Sequence, residues 1–427
     1  MRKRMILALT GLLGITVRQT VSPEGDRSYR ALLRLPSVGR ILLGMQIARI
    51  GQSMVAVALV LFTLTSYRSA TVAGVVTFFN IFPGLLVSSI AGALLDRHGR
   101  MRLVALDYIV ALTALALIGG LALAGALPRW LLMVIAGVAS LTNPLSATGL
   151  RSLFPLIVPA HLWERVNAID STGFIIAAIL GPPLAAGLVA LWGGPIALLV
   201  IGATFGLAAF VIWGSADPAA PGGPADPGAS VLADAWSGLV YTWRNRTLRG
   251  LAFSISSVNV ASGILNIVMP VIILERLHLG ETVVGVVFAV QGLAGIISAI
   301  AFGRMDSRDR ERAMLALSMA ATGVSVALII LRSDLAMLLV IMSLYGALQG
   351  PMDIALFTLR QRRTEPAWMG RAFAVSYSFN YLGFPIGSAL AGVLAGRSIE
   401  TAILVAVVTC FAAAIFAMFL VPSNASM

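Results

Sequence analysis

Residues Gly92 to Arg102 read GALLDRHGRMR, an arginine-rich segment set between two long apolar runs. A degenerate copy, GRMDSRDR from Gly303 to Arg310, follows 211 residues later. Each joins the second and third hydrophobic runs of its half of the chain. One such loop carries little weight alone, but two at equivalent places imply a membrane protein built by duplication.

Working outward, twelve runs approach or meet the roughly 20 apolar residues that a helix needs to cross about 30 Å of hydrocarbon. They cover about 41–66, 72–92, 103–125, 130–150, 166–191, 195–214, 250–274, 282–302, 313–331, 335–358, 372–395 and 401–421. If both termini lie on one side, the segments on that side hold 24 of the 30 Lys and Arg residues. The opposite side holds Arg68, Arg129, Arg276, Arg332 and Arg397, and Arg49 falls inside a span. This bias predicts cytoplasmic termini and a multi-pass protein of the plasma membrane.

The composition agrees. Hydrophobic residues make up 59% of the chain and charged residues 11%, with a mean hydropathy of +0.94, far from a soluble globular balance. A net charge of +12 would suit nucleic acid, but the basic residues sit in short loops between spans, where they act as topology signals. No nucleic-acid partner is expected; the partners are the lipid bilayer and a small molecule. Cys410 is the only cysteine and lies in the last apolar run, which excludes disulfides and thiolate metal sites. The single lysine, Lys3, excludes the phosphate loop of an ATP-driven pump. His98, His161 and His278 lie in loops or at span edges, away from any intramembrane carboxylate cluster, which speaks against an embedded enzyme. No cofactor and no metal are expected.

The segment SADPAAPGGPADPGASVLADA, residues 215–235, is polar and rich in Pro and Gly, and reads as a flexible linker. The expected organisation is a cytoplasmic extension over 1–40, a six-helix bundle over 41–214, a cytoplasmic linker over 215–249, a second bundle over 250–421 and a tail over 422–427. The first 17 residues imitate the start of a signal peptide. Their apolar part is too short to span and no small-residue cleavage site follows, so they read as an interfacial or disordered extension.

Twelve spans in a 6+6 arrangement, a central linker and GALLDRHGR between spans two and three together resemble the major facilitator superfamily. Gly92, Asp96, Arg97, Gly99 and Arg100 match its signature loop, G-x-x-x-D-R-x-G-R. The resemblance implies an all-α membrane fold of twelve transmembrane helices in two pseudo-symmetric six-helix bundles, working by alternating access, with the loop as a gate. The glycines permit close approach and a turn, and Asp96 would face the positive end of a neighbouring helix. The plainer reading of the loop is a positive-inside anchor.

Span five carries GFIIAAILGPPLAAG, Gly173 to Gly187. It resembles the Gly-Pro motif of the superfamily's proton-exchanging exporters, with Gly181 and Pro182 kept and Ala185-Ala186 in place of a Gly pair. Gly181, Pro182 and Gly187 are expected at helix packing contacts. The arginine that many of the superfamily's proton-coupled drug exporters carry inside span four is missing; the first one here is Arg151, at the span edge.

Charges inside a bilayer are functional candidates. Asp107, Asp170 and Asp353 lie about five residues from their predicted cytoplasmic ends, roughly 7–8 Å deep at 1.5 Å per residue; all three are candidates for proton coupling. Arg49 is the deepest charge, with Asp107 or a backbone carbonyl as its expected partner. In this superfamily spans one, four, seven and ten line the cavity. Polar residues there fall at helical spacing: Gln46, Arg49 and Ser53; Asn143 and Ser146; Asn259, Ser262 and Asn266; Tyr345, Gln349 and Asp353. Gln46, Arg49, Ser53, Asn143, Asn259, Asn266, Tyr345 and Gln349 are therefore the candidate substrate cavity, with interhelical hydrogen bonding as the alternative. Asn80 and Gln291, at equivalent repeat positions, read as glue.

The expected function is secondary active transport, as a monomer: proton-driven export of small lipophilic compounds. Uptake or lipid flipping on the same fold is the alternative, and a non-transporting sensor or scaffold is a more distant one.

Overall fold

The computed structural model describes residues 28–215, 231–303, 310–365 and 368–422. After a short turn at Tyr29–Arg34 the helices are α1 Val38–Tyr67, α2 Ala70–His98, α3 Arg100–Leu123, α4 Arg129–Ser140, α5 Asn143–Ile157 and α6 Trp163–Ile212. They continue as α7 Val231–Arg244, α8 Arg246–Val271, α9 Glu281–Phe302, α10 Glu311–Leu331, α11 Leu335–Arg362, α12 Met369–Ala395 and α13 Ile399–Leu420. Among the described residues eleven helical stretches are long and apolar enough to cross a membrane.

One of those stretches crosses twice. A straight helix of 50 residues would reach about 75 Å at 1.5 Å per residue, more than twice the hydrocarbon thickness. Gly193 breaks α6 with φ 78 and ψ 162, values open to glycine. The neighbours of α1 show the reversal. Going along α1, Gln46, Ser53 and Phe62 meet Gly173, Gly181 and Gly194 in turn, while Gly44 and Gly51 meet Ile212 and Thr204. The first limb of α6 therefore runs parallel to α1 and the second runs back.

Without a strong hydrophobic drive between helices in lipid, association relies on small residues that let backbones approach. The α8–α12 contact shows this: a Cβ on Gly383 would lie 1.8 Å from the Ser256 carbonyl, and one on Gly387 2.0 Å from that of Val260. A Gly387→Leu substitution is expected to force these helices apart, at a cost of about 3 kcal/mol or more. Gly187, expected at a packing contact, has nothing within 4 Å of an added Cβ, so Gly187→Ala should be accommodated and raise stability by up to about 1 kcal/mol. Thermal unfolding of the two variants in detergent checks the contrast.

The two halves meet along two seams, α2 with α12 and α9 with the first limb of α6. The duplication is visible in three dimensions. Gly84 on α2 lies against the Ser140 carbonyl of α4, and Gly295 on α9 lies against the Gly346 carbonyl of α11. These glycines share the 211-residue offset of the two arginine-rich loops.

Three expectations change. The segment 92–102, expected as a loop between spans, is almost all helical: α2 runs on to His98, Gly99 alone breaks the path at φ 90, and α3 starts at Arg100. Span four is two helices, because Pro144 has no N–H to offer the Ser140 carbonyl. Around the break Leu141 and Thr142 donate to the carbonyls of Val138 and Ala139, both at 3.2 Å. Within the expected linker, residues 231–244 form α7, packed against α12.

Side-chain caps fix several helix starts. Asp334 caps α11, its carboxylate accepting from the Met337 N–H at 3.0 Å. That bond is the main cause holding its pKa below the ordinary aspartate value. A lowered pKa in the folded state means the cap stabilises fully above the ordinary range and fades as pH falls through the lowered value. Asp334→Asn, which still caps, should remove this acid-side component from the pH profile of thermal stability.

Candidate transport pathway

In the first half, the polar stripe of α1 is spent on α6. Gln46 Nε2 donates to the Gly173 carbonyl at 3.0 Å, and Arg49 Nη1 donates to the Asp170 carbonyl at 2.7 Å. Arg49 Nη2 also forms an ion pair with the Asp170 carboxylate. Ser53 packs on Gly181, where an added Cβ would meet its side chain at 2.4 Å. Glycines on α6 bring the helices close enough for these bonds, so the stripe joins a helix pair while its residues stay half-buried. The partner of Arg49 is Asp170, not Asp107.

Asp107 is buried on α3 and accepts from Thr142 Oγ1 at 2.6 Å and from Ser146. Its carboxylate thus sits at the break in span four. Beside that break Asn143, Asn80 and Gln52 line a small cleft together with Leu115 and Phe205. Gln52 is exposed and was missed by sequence reasoning, because it lies off the i, i+3, i+7 stripe. Its only signal was an amide in an apolar helix.

The second half repeats the pattern. Asn259 Nδ2 donates to the Asn380 carbonyl at 2.8 Å, tying α8 to α12 as Gln46 ties α1 to α6. The hydroxyls of Ser262 and Tyr345 lie 2.5 Å apart, and Gln349 bonds to the same phenol. Tyr345 is buried, not open to a cavity. Asn266 is half-buried, with its Nδ2 enclosed and without a hydrogen bond.

Asp353 differs from the other two intramembrane carboxylates. Asp353 is exposed. Among the described residues it makes no hydrogen bond or ion pair. Arg360, two turns on, is buried and its positive field acts on the carboxylate.

Several contacts join the two halves near one end of the bundle, and the Ser88 and Ser378 hydroxyls meet at 2.9 Å nearer the other. Towards the arginine-poor end Thr71 Oγ1 donates to the Gly392 carbonyl at 2.8 Å and Gly74 abuts the Ser388 carbonyl. Gly285 abuts Pro183 and Ala186, while Leu64 and Thr65 share a pocket with Leu274 and His278. Towards the arginine-rich end, among the described residues, α5 and the first turns of α6 form no extended contact with α11 or α12. Of the signature residues, Gly99 and Arg100 form the junction between α2 and α3, whereas the side chains of Asp96 and Arg97, and the surroundings of Gly92, lie outside the described residues.

Comparison with known proteins agrees with this architecture. The profile of the Major Facilitator Superfamily matches residues 41–258 and again 251–426. An uncharacterized MFS-type transporter, y4rN of Sinorhizobium fredii, is 36% identical over 93% of this chain and 98% of its own length. The multidrug efflux pump Tap of Mycolicibacterium fortuitum is 25% identical, with 81% and 86% covered. Macrolide efflux protein A of Streptococcus pyogenes is 22% identical, with 83% and 88% covered. Among solved structures, the nucleoside transporter NupG superposes with a TM-score of 0.67 at 14% identity, over 89% of this chain and all of NupG. A bacterial homologue of the iron transporter ferroportin gives 0.68 at 16%, over 89% and 97%. These two show a shared fold. Two matches of one family profile, each falling on one half of a duplicated helical bundle, make this chain a multi-pass transporter of the major facilitator superfamily.

Proposed function

We propose that the protein exports small lipophilic compounds across the plasma membrane in exchange for protons, by alternating access, as a monomer with its arginine-rich end in the cytoplasm. The observation that carries this reading is Asp353: an exposed carboxylate that makes no hydrogen bond or ion pair among the described residues, where Asp107 and Asp170 are both tied. A carboxylate that must load and release a proton needs access to water and freedom from a fixed cation. The similarity to a multidrug efflux pump and to a macrolide efflux protein supports export. In this reading the cavity between the two halves opens inward, and Asp353 stands on its cytoplasmic side. The junction at Gly99 and Arg100, with Gly92, Asp96 and Arg97, would close that side in the opposite state.

The test is flux of a panel of lipophilic compounds in proteoliposomes, with an imposed proton gradient on and off. Gradient-driven movement out of the cytoplasmic face supports the reading. Flux that ignores the gradient would reject proton exchange, and accumulation in the opposite direction would make the protein an uptake system.

A further inference from the structure

We infer that α7, between the two bundles, is a docking surface for the headgroup layer of acidic phospholipids. Its position leaves it little choice of surroundings. The helix ends at Arg244, and the next membrane-crossing stretch opens at Arg246, so α7 lies at the bilayer boundary.

Its two faces differ sharply. Gly238 and Thr242 are buried, and the Tyr241 ring stacks on Trp368 at 4.8 Å between centroids and 7° between planes. The Glu365 N–H donates to Tyr241 Oη at 3.0 Å, and Asn245 Nδ2 donates to the Arg363 carbonyl at 2.9 Å. This side clamps the connection between α11 and α12. On the opposite side Trp236 and Trp243, almost two helical turns apart and so on one face, are 65% and 50% exposed. Indole rings favour the zone between headgroups and acyl chains.

The tryptophan face continues the lipid-facing wall of the bundle. Trp243 meets the exposed Phe253 of α8 edge-on at 5.9 Å, and Phe253 meets Phe416 of α13 at 6.0 Å. At the junction Arg244 and Arg246 are exposed, and Arg249 donates to the Trp243 carbonyl at 3.3 Å. The one acidic residue between 231 and 249 is Asp234. Aromatic rings at interfacial depth beside a basic cluster match an acidic lipid surface, in which each arginine contributes about a fivefold preference.

The test uses the full-length protein in phosphatidylcholine vesicles with and without phosphatidylglycerol. The emission difference between wild type and the W236F/W243F variant isolates the two rings. That difference should be quenched by lipids brominated near the headgroup and shielded from aqueous iodide. In R244Q/R246Q the preference for spin-labelled phosphatidylglycerol over phosphatidylcholine should fall by more than about tenfold. Rings quenched by iodide and not by brominated lipid would place the face in water or against a soluble protein and overturn the inference. An undiminished preference for phosphatidylglycerol in R244Q/R246Q would overturn it as well. Neither readout depends on the transported compound.

Discussion

Asp353→Asn is expected to abolish gradient-driven flux while sparing substrate binding and substrate exchange. The substitution removes a proton-binding group but keeps size and polarity. Because Asp353 makes no bond to a described neighbour, its removal should leave the helices around it in place. Expression and thermal stability should therefore match wild type, and the defect should appear only when movement must be coupled to protons. The decisive comparison is net flux under a pH gradient against counterflow at equal pH in the same vesicles. Full gradient-driven flux in the variant would remove Asp353 from the mechanism. Asp107 would then be the next candidate, although Thr142 and Ser146 both hold its carboxylate.

The second large effect is on stability. Arg49 and Asp170 form an ion pair whose side chains are 17% and 11% exposed. Arg49→Ala strips the carboxylate of the guanidinium it faces inside the bundle, and breaking such a pair costs about 3–5 kcal/mol. In the R49A/D170N double variant no charge is stranded, so much of that loss should return. A double-mutant cycle on unfolding in detergent measures the recovery. If the double variant is as unstable as Arg49→Ala alone, the guanidinium acts through its bond to the Asp170 backbone and not through the charge.

The spans, the duplication and the family were legible in the sequence because each rests on a long apolar run or on a repeated motif at fixed offset. Periodicity showed that Gln46, Arg49 and Ser53 share a face. It could not show what meets that face. The answer lay in span five, where Gly173 and Gly181 clear room for α1 and Asp170 completes the pair. Depth could not choose between Asp107 and Asp170, which lie equally far from their predicted span ends. The helical part of the linker was readable in part: the Pro/Gly-rich stretch stops at Gly228, and Trp236, Tyr241 and Trp243 follow. Counting 215–249 as one segment hid that change.

The proline break in span four sets how force travels through the first bundle. A continuous helix transmits bending from one end to the other through its ladder of bonds, and here the ladder is interrupted at Ser140. The first piece, α4, is held by α2, and the second, α5, towards the arginine-rich end, packs on both α3 and α2. In the second bundle α11 carries Pro351 but stays unbroken from Leu335 to Arg362. At this position the first bundle is jointed, and its counterpart helix in the second is continuous. A displacement at the arginine-rich end would be absorbed near Thr142 in one half and carried to the far side in the other.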